Sequence, residues 1–281
     1  MAREFSIWIV TPPGYSHSRC FEEVALSLHE AFKALGRNVP VVTDAGELRG
    51  TVIVLGGHLL PKLPPAAPLP TDLIIFNLEQ IYLGSPWPEP HYVALLKQYP
   101  VWDYSRQNIA ALAGIGVTAA LCGVGYMPAL TRIAPAQKDI DVLFIGSENA
   151  RRFKVLSEIG ASGVTLVAVF DFYGEKRDAL IARAKIVLNM HFYDAKVFEI
   201  VRVSYLLANR ACVVSETGQD PELEAPLAGG VAFAPYDGLA PACLGLLRDD
   251  AARESVAEKG FERMRALSQV DMLERALALV S

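Results

Sequence analysis

Ile140-Asp141-Val142-Leu143-Phe144-Ile145-Gly146-Ser147-Glu148-Asn149-Ala150-Arg151-Arg152 reads as a strand, a glycine turn and the start of a helix. The first six residues are apolar apart from Asp141, without the polar alternation of a strand that has one wet face. Such a strand is buried on both sides, the mark of a parallel sheet covered by helices. Parallel neighbours need a crossover between them, so helices and strands must alternate along the chain. Downstream they do: a helix is predicted over Ala150–Ile159, a strand over Val164–Phe170, a helix over Lys176–Lys185 and a strand over Ile186–Met190. A helix over Val197–Ala208, a strand over Ala211–Ser215 and helices from about Ala240 complete the pattern.

Upstream, Phe5–Thr11 is a predicted strand ending in the turn Pro12-Pro13-Gly14-Tyr15. Cys20–Leu35 places Phe21, Val24, Leu28, Phe32 and Leu35 on one helical face, with Gly36 as its stop. Apolar runs at Val39–Thr43, Val52–Leu55, Leu73–Phe76, Val101–Tyr104 and Thr118–Leu121 follow, with a proline-rich loop (Pro61 to Pro70) and a helix over Glu89–Gln98 between them. Ile133-Ala134-Pro135-Ala136-Gln137-Lys138 has linker composition. The expected architecture is therefore α/β: two Rossmann-like lobes, residues 1–130 and 131–281, with a cleft between them. Ligands of open α/β sheets bind where strand order reverses, at the carboxyl ends of the strands.

The 281 residues carry 26 Lys+Arg against 31 Asp+Glu, a formal charge of −5, and are 52% apolar and 20% charged. That is globular composition, and its mildly acidic balance speaks against a nucleic-acid partner. Cys20, Cys122, Cys212 and Cys243 are too scattered for a zinc site or disulfide framework and suggest reduced, cytoplasmic thiols. The opening Met1-Ala2-Arg3-Glu4 mixes charges, so no secretory signal is expected. Ile109 to Leu130 is uncharged, but glycines and Pro128 break it into short elements, so no transmembrane segment is expected.

Gly114-Ile115-Gly116-Val117-Thr118-Ala119 matches a dinucleotide fingerprint in the wrong context, a helix before it and a strand after. P-loop, H-E-x-x-H and G-x-S-x-G strings are absent. No cofactor is expected. Gly146 and Ser147 lead instead into a helix with Arg151 and Arg152 in its first turn, where free N–H groups and the helix dipole favour an anion. The bland alternative is a capped helix with solvated arginines. The richest segment places His191, Asp194 and Lys196 in a loop and Glu199 and Arg202 one turn apart on an otherwise apolar helix. An ordinary surface ion pair is the alternative there.

From Phe198-Glu199 through Tyr205-Leu206-Leu207-Ala208-Asn209-Arg210-Ala211-Cys212-Val213-Val214-Ser215-Glu216, the chain resembles the C-terminal half of GT-B glycosyltransferases. The tail, with Asp220 to Glu224, Val231-Ala232-Phe233 and Ala257-Glu258-Lys259-Gly260, is similar to the family-1/4-type and spore-coat-like transferase domains. Phe76-Asn77-Leu78-Glu79-Gln80, Ser85-Pro86-Trp87 and Trp102-Asp103-Tyr104-Ser105 resemble small bacterial members of that group. The E-x7-E pair of retaining members is broken, since Leu207 follows Glu199 at the second position. Asn209-Arg210 replaces the usual glycine turn.

The resemblance implies a nucleotide-sugar donor bound without metal, its leaving diphosphate met by Arg151, Arg152, Lys196 and Arg202 with the Gly146-Ser147 turn. His191 would lie in the same donor site. Glu199, and from the next strand Ser215 and Glu216, would hold sugar or ribose hydroxyls. An inverting reaction needs a base for the acceptor hydroxyl, and His17 and Glu79, each just past a strand end, are the candidates. The acceptor is left unidentified. An isomerase or hydrolase of nucleotide sugars, or a non-catalytic binding protein, remains the alternative.

Overall fold

Every strand pairing between named strands is parallel in the computed structural model, which describes residues 3–64, 69–81, 88–193 and 195–279. The chain divides into two compact units, Met1–Ala129 with Ser268–Ser281, and Leu130–Leu267.

In the first unit, β1 (Phe5–Ile9), β2 (Val41–Val42), β3 (Thr51–Leu55), β4 (Leu73–Asn77), β5 (Val101–Asp103) and β6 (Ala119–Leu121) form a six-stranded sheet in the order β2-β1-β3-β4-β5-β6. β1, β3, β4 and β5 are buried at every residue, as their predominantly apolar runs required, with Ser6, Thr51, Asn77 and Asp103 buried among them. Among its helices are α1 (Glu22–Ala34), α2 (Pro90–Gln98) and α3 (Arg106–Gly114). Pro90 opens α2 where its missing N–H costs nothing. Ser105 caps α3 by accepting from the Asn108 N–H. The G-x-G-x-x-A string lies between α3 and β6, helix first and strand second.

The second unit contains β7 (Ile140–Ile145), α4 (Ala150–Ala161), β8 (Leu166–Val169), α5 (Gly174–Arg183), β9 (Ala184–Asn189), α6 (Ile200–Ala208) and β10 (Val213–Glu216). α7 (Pro221–Glu224), β11 (Ala232–Ala234), α8 (Leu239–Leu247) and α9 (Asp250–Arg265) follow. Its sheet runs β11-β10-β9-β7-β8, so strand order reverses between β7 and β9. Val142, Phe144, Ile186, Leu188 and Val214 from the sheet pack with Val155, Leu156 and Ile159 of α4 and with Leu239 and Cys243 of α8.

Three departures from expectation have local causes. The helix predicted from Val197 begins at Ile200, because Lys196 is left-handed (φ 47°) and turns the chain just before it. At the other end of α6, Arg210 is also left-handed (φ 54°), a conformation usually left to glycine. Its neighbour Asn209 compensates: its amide donates to Leu130 O and accepts from the N–H groups of Arg132 and Ile133, fastening the linker's start. Finally, α10 (Gln269–Ala278), expected in the second lobe, belongs to the first unit. It packs on α1, and the Gln269 amide accepts from Gly125 N–H (2.7 Å) and donates to Gly123 O. The four cysteines are free thiols, three of them buried. Among the described residues no helix is long and apolar enough to cross a membrane.

Candidate functional site

The β7–β9 reversal brings two strand ends side by side, and side chains from four segments converge there. β7 ends at Gly146-Ser147, and Asn149 caps α4 by accepting from the Arg152 N–H (2.8 Å). The cap is the expected one, but the arginine is not solvated: Arg152 is only 2% exposed. Its guanidinium donates to the carbonyls of Ser147 (2.8 Å) and Met190, between the rings of Phe144 (5.3 Å) and Phe192 (5.1 Å). Nε has no partner among the described residues. Burial, then the charge of Arg202, lowers its pKa to about 10. A buried cation held by carbonyls and rings is an anion-seeking group.

Arg202, on the first turn of α6, donates from Nη1 to the side-chain Oδ1 of Asn189 (3.3 Å). A methyl group on Gly146 would stand 3.3 Å from Arg152 Nη1 and 3.6 Å from Arg202 Nη1. Glycine therefore lets both guanidinium groups and the Phe144 ring close on the end of β7, where even a methyl would be crowded.

Asn189, at the end of β9, is a hub that the pattern of charges did not reveal. Its amide donates to Glu199 Oε2 (2.9 Å) and Ser215 Oγ (3.0 Å). Glu199 Oε1 lies 3.1 Å from His191 Nδ1, whose Nε2 is buried without a partner among the described residues and lies against Gly218. Burial pushes the Glu199 carboxyl up, but the His191 hydrogen bond, the charges of His191 and Arg202 and the Asn189 amide outweigh it and hold the group below its ordinary value. Glu199 thus stays ionised.

Glu216 ends β10 with its side chain 1% exposed. It takes both terminal nitrogens of Arg151, the His191 N–H (3.2 Å) and Lys196 Nζ (3.6 Å). Arg151 lies 4.1 Å over the Tyr236 ring, whose hydroxyl donates to the Arg151 carbonyl. Of the four expected phosphate cations, Arg152 and Arg202 meet at Gly146, whereas Arg151 and Lys196 are turned to Glu216. Asp194 lies outside the described residues, as do Ser85, Pro86 and Trp87. The one D-x-D string is engaged at the opposite strand ends, Asp139 with Arg183 (2.7 Å) and Asp141 with Lys185 (2.7 Å).

In the first unit, His17 is exposed in the turn after β1, its ring against Tyr15. Glu79 follows β4, and its Oε1 lies 3.5 Å from Nδ1 of His58. His58 was not anticipated; it stands in Gly56-Gly57-His58 just past β3, beside this sheet's own order reversal, and that position was the available signal. Burial, with Lys62, His17 and His91 nearby, lowers His58 to about 4, and burial raises Glu79 to about 7. At neutral pH this imidazole is neutral, and burial brings the titration of the carboxyl up toward neutrality.

No protein-family model matches the chain. It is 28% identical over 188 residues to Uncharacterized protein L140 of Acanthamoeba polyphaga mimivirus, a match covering 62% of the chain and 59% of that protein. Uncharacterized protein R358 of the same virus is 26% identical over 227 residues, 76% of each. Among solved structures, AviGT4, a glycosyltransferase involved in avilamycin A biosynthesis, superposes with a TM-score of 0.63 over 98% of the chain and 96% of its own, at 17% identity. Anabaena HepE in complex with UDP-glucose superposes at 0.63 over 99% of each chain, at 12% identity. T4 phage BGT with its UDP-glucose substrate gives 0.57 over 98% and 97%, at 12% identity. The chain has the GT-B glycosyltransferase fold.

Proposed function

We propose that this protein transfers a sugar from a nucleotide-sugar donor to an acceptor hydroxyl, without a metal ion. The observation that carries the reading is the pair of guanidinium groups, Arg152 and Arg202, brought together against Gly146 at the order reversal of the second sheet. Glu199 already offsets part of the repulsion between these like charges, and a bound anion would offset the rest. The diphosphate of a nucleotide sugar supplies that anion, and its charge grows as the sugar–phosphate bond breaks. The cations and the first turn of α4 stabilise the leaving group; the ionised Glu199, with Ser215, accepts from sugar or ribose hydroxyls. His191, held by Glu199, offers Nε2. Arg151 serves by fixing Glu216. UDP-glucose in the HepE and T4 structures supports a uridine nucleotide as the first donor to test.

Glu79 is assigned as the acceptor base. A carboxyl near pKa 7 is a stronger base than an ordinary one, yet accepts a proton only when ionised. The rate of transfer is therefore expected to rise with pH through about 7 and level off above it. A rate falling across that range would assign Glu79 as an acid instead.

Calorimetry with UDP, with and without EDTA, followed by incubation with UDP-, GDP- and TDP-sugars, tests the reading. Binding unaffected by EDTA, with nucleotide release stimulated by an acceptor, is expected. EDTA-sensitive binding would remove the metal-free claim. Binding without turnover identifies a capture protein, and an altered sugar still joined to its nucleotide identifies an isomerase. Glu79→Gln should abolish release while UDP affinity holds.

A further inference from the structure

The acidic residue that no donor or acceptor role absorbs is Asp103. It is 0% exposed at the end of β5, and among the described residues no Lys, Arg or His nitrogen pairs with it. Its side-chain partners are all donors: Asn77 Nδ2 (2.6 Å), Ser105 N–H (2.8 Å) and Asn108 Nδ2 (3.2 Å). Each asparagine amide has a second proton, and both send it to one atom, the backbone carbonyl of Glu79, at 2.9 Å. On their acceptor sides, Asn108 Oδ1 takes the Ile81 N–H (2.9 Å), and Asn77 Oδ1 takes the Tyr92 hydroxyl (2.8 Å) and, at 3.4 Å, the Glu79 N–H. The amide protons of both asparagines are thereby spent, with Asp103 at one end and the Glu79–Ile81 backbone at the other selecting the same orientation. An Asn amide can turn over by half a turn at little steric cost, exchanging its oxygen and nitrogen. A carboxylate accepts only, so Asp103 reinforces the orientation in which both NH2 groups face it and both reach Glu79 O.

We infer that Asp103 is a positioning residue for the Glu79 carboxyl, acting through Asn77 and Asn108, which it orients to grip the backbone of Glu79 and Ile81. This rests on the assignment of Glu79 as the acceptor base. It also carries a pH consequence. A protonated Asp103 would turn an O–H toward an amide that is itself a donor, and one grip on the loop would be lost. Burial raises Asp103 to about 7 against the pull of Asn77, Ser105 and Asn108. The ionisable groups around it are Glu79 beyond the asparagines, His58 behind Glu79, Tyr92 from α2 and Cys122 after β6. Tyr92 and Cys122 are both pushed up by burial and stay protonated near neutral pH. Two groups, Asp103 and Glu79, must then lose protons before the base is both placed and competent.

The test uses the full chain with UDP-glucose, in wild type, Asp103→Asn and Asn108→Ala. In wild type the logarithm of turnover should climb below pH 7 with a slope approaching about two, the sign of two coupled ionisations. Asp103→Asn should bind UDP like wild type, turn over on the order of tenfold to a hundredfold more slowly through misplacement of the base, and show a slope near one. Amide exchange, measured by NMR and corrected for intrinsic rate, should show lower protection at Ile81 in the variant, and in wild type below pH 7. Should Asp103→Asn fail to fold, Asn108→Ala carries the same test, with slower turnover, lower Ile81 protection and the slope of about two retained. Unchanged turnover, slope and protection in the variant that folds would overturn the inference. Wild-type protein that never turns over any nucleotide sugar, yet loses Ile81 protection in Asp103→Asn, would sink the transferase reading and leave the clamp intact.

Discussion

Glu216→Ala is expected to melt well below wild type, and to do so whether or not nucleotide is present. Glu216 is buried to 1% and holds Arg151, Lys196 and the His191 N–H. Removing it leaves the Arg151 guanidinium with only the His191 carbonyl (3.1 Å) and takes away the acceptor of the His191 N–H. Breaking a buried pair from one side costs about 3–5 kcal/mol. Arg151 retains 27% exposure and can recover some hydration, so the lower end, about 3 kcal/mol, is the better figure. For a domain of this size that amounts to roughly 6–12 °C in Tm. Glu216→Gln keeps the shape and one acceptor and should lose about half as much. Calorimetric melting of the three proteins decides the matter. A Glu216→Ala protein melting with wild type would mean that Arg151 is not tied to Glu216 in solution and is available to a phosphate after all.

The alternation of strands and helices was legible because parallel strands bury both faces and leave continuous apolar runs, as in Val52–Leu55 and Leu73–Phe76. What those runs could not convey was which strand lies beside which. Asn189 is a hub only because β9 lies between β7 and β10, so that its amide reaches Ser215 on one side while Arg202 and Glu199 approach from α6. His58 matters only because β3 neighbours β4, which places it against Glu79. The same gap explains α10. Its apolar stripe, Leu273 and Ala276, announced a buried face without saying that α1 would cover it. Arg151 and Arg152 had equal standing in the sequence. One helical step of 100° separates them: Arg152 is turned under Phe192 toward Gly146, and Arg151 over Tyr236 toward Glu216.

Arg202→Ala separates a ligand role from an ordinary helix ion pair. If Arg202 meets a phosphate oxygen, the lost charge-assisted hydrogen bond should weaken UDP binding by about 1.5–3 kcal/mol, roughly 10- to 150-fold in Kd. The fold should barely change, since Arg202 is half-buried and its hydrogen bond to Asn189 Oδ1 is long (3.3 Å). Glu199→Gln makes the complementary case. It removes the charge that faces His191 and Arg202 while keeping the shape, and its one amide oxygen can accept from only one of Asn189 and His191, its NH2 then facing the other. UDP affinity should stay near wild type, because the carboxylate faces hydroxyls rather than phosphate, while turnover of UDP-glucose falls sharply. The helix-pair reading forecasts the reverse for both variants: losses of a few tenths of a kcal/mol in stability, and unchanged affinity and turnover. Melting temperature and nucleotide affinity measured side by side distinguish the two. Equal UDP affinity in wild type and Arg202→Ala would leave Arg152 as the sole guanidinium at the phosphate and move Arg202 to the support of Asn189.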